Sequence, residues 1–170
     1  MATEAAVSQD RLEDTRSALH RHCVVCAEDH PFGLRAAYRV TGEHAVETVF
    51  SCGKPYEGYA NVLHGGIVSA LLDGAMANCL LAKGLEAYTV DLRIRFRGPV
   101  ETGVPATVRG EWLRQEGPLH LLQATICQNG RTRASARAKF MEGSPDLATQ
   151  VLPSGPAARD LVKQSRKRLH

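Results

Sequence analysis

The chain has 170 residues, enough for one domain with its own core, and its 44% hydrophobic and 23% charged residues make an ordinary globular balance. A net charge of +3 with only 5% aromatic residues argues against nucleic acid as a partner, because no basic patch is interleaved with stacking rings. The same charge is compatible with acidic or phosphorylated small ligands.

The first stretch, "MATEAAVSQDRLEDTR", is polar and has no apolar signal core. No window reaches a membrane-spanning length, since Lys83 and Glu86 end the apolar run after Ile67. The expected location is the cytoplasm. Five cysteines at irregular spacing are then read as thiols and not as a disulfide frame. Residues 1–21 read as an N-terminal arm with a short helix, 22–141 as the folded domain, and 142–170 as a flexible tail, basic at "KQSRKR" and carrying at most one short helix.

Within the domain, "LRAAYRVT" (34–41) and "HAVETVFS" (44–51) flank Gly42 as a hairpin. Residues 52–63 carry Gly, Pro and Asn and read as a loop. A helix follows from 65 to 83, stopped by Gly84. Four strands come next, at 88–98, 106–114, 120–128 and 132–140, the last pair joined by the tight-turn signal Asn129-Gly130. In the first of these, Leu92, Ile94 and Phe96 alternate with Arg93, Arg95 and Arg97. Tyr88, Phe96, Trp112 and Phe140 are expected in the core or a pocket wall, Cys79 as a core thiol, and His120 as an ordinary strand residue.

Hairpin, one long apolar helix and a four-strand meander make an α+β chain, a curved antiparallel sheet wrapped around one central helix. The helix is apolar nearly all round, so it must be buried on most sides. One sheet covers only part of it, which leaves the rest for a second subunit.

One acid interrupts this helix. At about 100° per residue, Gly66, Ser69, Asp73 and Met76 or Ala77 share a stripe. A carboxylate withdrawn from water needs donors, a wet cavity or a raised pKa, and each of these also serves a general base or a nucleophile. At the helix start, His64-Gly65-Gly66 offers unpaired backbone N–H groups at the positive end of the helix dipole, able to hold a developing oxyanion. Asp73 follows Gly65 by two turns, about 12 Å of rise. Geometry therefore pairs the Gly65 end of one helix with Asp73 of another. The plain alternatives are a Gly-Gly turn and an interface salt bridge.

Two further groups stand out. His20, His22, Cys23 and Cys26 carry zinc-type ligands, but the second half lacks the usual spacing, and the reading is a surface loop with no metal. Arg93, Arg95 and Arg97, with Arg131, Arg133 and Arg137, are either phosphate ligands or a solvated face.

"HGG" followed by "LLD", with "CVVC…HPFGL", "EGYANVLHGG" and "TVDLRIRFRGPV", resembles the hotdog-fold acyl-CoA thioesterases of the phenylacetate-pathway type over residues 22–141. The resemblance implies that Asp73 is the catalytic acid, as base toward water or as nucleophile. It implies that Gly65 supplies the N–H donor to the thioester carbonyl, with His64 beside it. Thr89 corresponds to a water-orienting hydroxyl expected from the partner subunit. Asn61, Gly66 and Ser69 are then substrate-contacting candidates, and Arg95, Arg97 and Gly98 lie along the pantetheine–phosphate path of coenzyme A. The chain departs from the branch at Gly74, where many members carry Glu, at Asn61, where Gly is usual, and at Ala60, where Pro is usual.

The expectation is an acyl-CoA thioesterase needing no organic cofactor, working as a homodimer or homotetramer without nucleic acid or membrane. The alternatives are an acyl-CoA sensor on the same fold and, third, a hydratase or dehydratase. The acyl group stays open.

Overall fold

A computed structural model describes residues 7–143. The first six residues of the expected arm, and the expected tail from 144 onward, lie outside the described residues.

Helix α1 spans Gln9–Leu19, capped by Ser8, whose hydroxyl accepts from the Arg11 N–H at 3.2 Å. It is docked and not free: Leu12 is fully buried and Ser8 N–H donates to Ala82 O. The hairpin is β1 (Arg39–Gly42) and β2 (Ala45–Phe50). The ladder starts later than the sequence suggested, because residues 34–36 bond the 24–25 loop: Leu34 N–H donates to Val24 O and Ala36 N–H to Val25 O. The expected loop at 52–63 contains a single 3-10 turn at Lys54–Tyr56 and a small hairpin, β3 (Glu57–Tyr59) with β4 (Val62–Leu63).

The long helix α2 runs Gly65–Leu81, two residues shorter than expected, and Gly84 at φ +76° leads the chain away. Four long strands follow: β5 (Ala87–Phe96), β6 (Ala106–Glu116), β7 (Leu119–Gln128) and β8 (Arg131–Glu142). Asn129 and Gly130 both have positive φ, the tight-turn geometry their sequence called for. The sheet order is β1-β2-β6-β7-β8-β5, every pair antiparallel, so β5 lies at one margin, paired only to β8.

The inner face of the sheet closes on α2. Leu71, Leu72, Ala75, Met76, Cys79 and Leu80 are buried there against Val46, Val108, Leu122, Ile126 and Phe140. Helix and sheet approach closely at Gly110, where a Cβ would stand 2.5 Å from the Ala75 carbonyl oxygen. Cys79 is a core thiol as expected, donating to His44 O at 3.1 Å, and burial pushes its pKa up to about 11. His120 is not an ordinary strand residue. It is almost fully buried, its Nδ1 accepts from Trp112 Nε1–H at 3.2 Å, and its Nε2 faces Glu142 Oε2 at 3.2 Å. That side chain ties β6, β7 and β8 together at one end. No helix among the described residues is long and apolar enough to cross a membrane.

Candidate active site

Asp73 sits on α2, half-buried, with Thr89 of β5 opposite. Thr89 Oγ1 donates to Asp73 Oδ1 at 2.8 Å. The two belong to the same chain, which corrects the expectation that Thr89 reaches the acid from a partner. The reason is topological: β5 begins shortly after α2 ends and runs back along it, and the ladder irregularity between Thr89 and Asp91 falls at this contact.

Among the described residues, no Lys, Arg or His nitrogen forms an ion pair with Asp73. Burial raises its carboxyl above the ordinary value. The Thr89 hydrogen bond opposes this, and the neighbouring Cys23 charge adds to it. The His20 charge nearby also works against the rise. A carboxylate partly stripped of water, with one hydroxyl donor and no direct ion pair, is primed to take a proton. Asp73 and Thr89 open into a cleft of about 230 Å³ shared with His20, Tyr88 and Phe140. His20 was a missed neighbour here; its separation from Asp73 in sequence gave no hint of contact.

The Gly65 end is built differently. His64 is the N-cap of α2, and its Nδ1 accepts from Gly66 N–H at 2.9 Å, while its carbonyl takes the Ile67 and Val68 N–H groups. Gly65 N–H is left with no acceptor among the described residues. A Cβ at Gly66 would come within 3.0 Å of the His64 ring nitrogen, a tight contact that would press on the cap. Gly65 borders a second cleft, about 370 Å³, walled by Tyr59, His64, Phe96 and Gly98. Phe96 is therefore a pocket wall, and it is more than half exposed. The acid and the open N–H thus occupy two separate clefts of one chain.

The remaining candidates divide. Ser69 donates its hydroxyl to Gly65 O at 2.8 Å, so the helix itself occupies that donor. Asn61 has φ 62°, a left-handed turn position between β3 and β4 that suits Asn or Gly, which accounts for Asn where the resembling branch has Gly. Arg95 and Arg97 are exposed and line a groove of about 580 Å³ with Arg93, Gln123 and Arg137, whereas Gly98 belongs to the Gly65 cleft. Gly74 has its own explanation: a Cβ there would stand 2.6 Å from Val25 Cγ1, so the loop packed behind Asp73 leaves no room for a second acid.

His20, Cys23 and Cys26 converge at the start of that loop, with one possible ligand atom each within 4.8 Å of the others. His22 stays outside the group. Cys23 and Cys26 share a proton: the Cys26 hydrogen bond pulls Cys23 down to about 3, and the same contact pushes Cys26 up.

A six-stranded antiparallel sheet packed on one long helix is the hotdog architecture. The chain belongs to the acyl-CoA thioesterase N-terminal domain family, matched over residues 54–141, more than half its length. No curated protein matches it by sequence. Among solved structures it is similar to a thioesterase superfamily protein at 21% identity and TM-score 0.68, over 71% of this chain and 63% of that one. The chain thus spans less than two thirds of that protein. It is similar to the E. coli PaaI protein from the phenylacetic acid degradation operon at 19% identity and TM-score 0.65, covering 79% and 99% of the two chains. A third likeness is to a hypothetical thioesterase from Streptococcus pneumoniae TIGR4 solved with coenzyme A, at 18% identity and TM-score 0.59, covering 63% and 87%. At these identities the shared property is the hotdog fold.

Proposed function

We propose that the protein is an acyl-CoA thioesterase that hydrolyses its substrate to a free acid and coenzyme A, with the site shared between two subunits. The observation that carries this is the unpaired, half-buried Asp73 held by the Thr89 hydroxyl, in a chain of the thioesterase family. The S. pneumoniae relative has also been solved with an aspartate and with a threonine replaced by alanine, and that threonine lies sixteen residues after that aspartate. Asp73 and Thr89 have the same separation.

In this reading Asp73 takes a proton from a water that attacks the thioester carbon. Negative charge gathers on the carbonyl oxygen, stabilised by Gly65 N–H at the helix start. Collapse breaks the C–S bond, and the departing thiolate recovers the proton. The alternative role, direct attack by the carboxylate to give a mixed anhydride that water then hydrolyses, uses the same residues. His64 fixes the helix start, so that Gly65 stays the open donor. Thr89 orients the carboxylate.

Two features support a shared site. The Gly65 and Asp73 ends are about 12 Å apart along α2 and open into different clefts. The ten-residue β5 margin is paired to β8 alone and contains no proline, the kind of edge that accepts a second strand. A homodimer, or a homotetramer of such dimers, brings Gly65 of one subunit to Asp73 and Thr89 of the other. Arg95 and Arg97 then meet the phosphates of coenzyme A, and Gly98 lies beside the pantetheine arm. Residues 22–141 form the catalytic unit, and the location is cytoplasmic.

Thiol release from aryl, short-chain and long-chain CoA esters tests the proposal. Hydrolysis of at least one class is expected, with Asp73→Asn lowering turnover by orders of magnitude. Saturable binding of CoA esters with no release would make the protein a sensor. Near-normal turnover in Asp73→Asn would remove the acid from the mechanism.

A further inference from the structure

We propose that His20, Cys23 and Cys26 form a zinc site that fastens the end of α1 and the loop after it to the back of α2. The three side chains bring one imidazole nitrogen and two sulfurs within 4.8 Å of one another, and His20 Nδ1 lies 3.8 Å from Cys26 Sγ. Ligand atoms around a tetrahedral zinc sit about 3.5–3.8 Å apart, given Zn–S near 2.3 Å and Zn–N near 2.0 Å. The group therefore needs only a small contraction to close on an ion. Two thiolates with an imidazole are a borderline-soft donor set, which selects zinc over magnesium or calcium.

The backbone is arranged to hold this set. His20 N–H closes α1 on Arg16 O, Cys23 N–H donates to His20 O at 3.1 Å, and Ala27 N–H donates to Cys23 O at 3.0 Å. These successive turns place all three ligands on one side of a short segment. The sulfurs also have outer partners. Val25 N–H points at Cys23 Sγ at 3.4 Å, and the fully buried Asn78 side chain of α2 reaches both Cys26 and Gly74 O. Donors of this kind orient metal thiolates. The cluster borders a surface cleft lined by Arg16, Ser17 and Glu28, which leaves the fourth position to water.

The location gives the site a purpose. Cys26 is buried against α2, and Val25 packs on Gly74, the residue after Asp73. An ion here would hold the loop that forms the rear wall of the candidate active site. The two sulfurs could instead join as a disulfide or stay hydrogen-bonded thiols, and the experiment separates these outcomes.

The full chain is reduced, stripped with a chelator and shown by thiol titration to carry all five free cysteines, then titrated with cobalt(II). One equivalent per chain is expected, giving a thiolate-to-cobalt charge-transfer band and intense tetrahedral d–d bands that zinc displaces. Cys23→Ser, Cys26→Ser and His20→Ala each lose those bands, whereas Cys127→Ser keeps them. On the unmutated chain, zinc should slow alkylation of Cys23 and Cys26 selectively, as read by peptide mass spectrometry. This keeps the proposal testable if a variant fails to fold. A fully reduced wild-type chain that gives no tetrahedral cobalt spectrum and no zinc protection overturns it. So does a folded Cys23→Ser/Cys26→Ser variant that retains the bands.

Discussion

Thr89 and Asp73 are joined by a hydrogen bond of 2.8 Å inside one chain, linking the marginal strand to the centre of the long helix. Hydroxyl and carboxylate are therefore coupled within one cleft, whereas the open Gly65 N–H borders a different one. This favours a complete site assembled from an acid half and a glycine half.

The pH dependence of hydrolysis should show that coupling. Burial raises the Asp73 carboxyl, and Thr89 partly restores it. As a base, Asp73 works only when ionised, so kcat/KM should climb with pH and level off above a limb lying higher than that of an ordinary carboxylate. Thr89→Val removes the opposing hydrogen bond and should move the limb higher still. An unmoved limb would mean that Thr89 does not tune the acid.

Stability should carry the same signature. Because the folded pKa of Asp73 lies above its ordinary 3.8, the fold prefers the neutral acid. The stabilisation is complete below 3.8, is lost as pH rises to the folded value, and stays lost above it. An amide at this position never carries that charge, so the Asp73→Asn variant should melt progressively higher than wild type as pH passes through this window. Melting curves with a constant offset across the window would contradict the assigned shift.

A shared site predicts complementation. Gly65 is the first residue of α2, where proline is best tolerated and only removes an N–H. Gly65→Pro should therefore fold yet lose most turnover, as should Asp73→Asn. Co-expressed, the two variants should recover activity, since a mixed dimer holds one intact half-site pair. Mixed oligomers as inactive as either parent would place the whole site within one chain.

Gly74 provides a packing test. Any side chain there meets Val25, whose Cγ1 would lie 2.6 Å from the new Cβ. Gly74→Ala should cost about 1–3 kcal/mol in denaturant unfolding. Gly74→Ala paired with Val25→Ala should recover part of that loss. A fully tolerated Gly74→Ala would show that the loop yields freely.

Much of the fold was readable because periodicity reports burial. The all-round apolar run of α2 and the alternation in β5 each had one consistent reading, and Asn129-Gly130 marked its turn through its need for positive φ. The readings that changed concern contacts between distant segments. A polar N-terminal stretch hides the fact that Leu12 enters the core, and nothing near His120 in sequence announces Trp112 and Glu142 as its partners.

The same division runs through the site. Residue type and spacing alone marked Asp73, because an acid on a helix that avoids water is costly at any position, and marked His64-Gly65-Gly66, because a glycine-rich start exposes amides. Tertiary structure decided that Thr89 reaches Asp73 from the same chain, that Ser69 is occupied by Gly65 O, that Gly74 is small to admit Val25, and that His20, Cys23 and Cys26 converge. Local chemistry follows from local sequence, whereas the partner of each side chain depends on how helix, loop and strand pack.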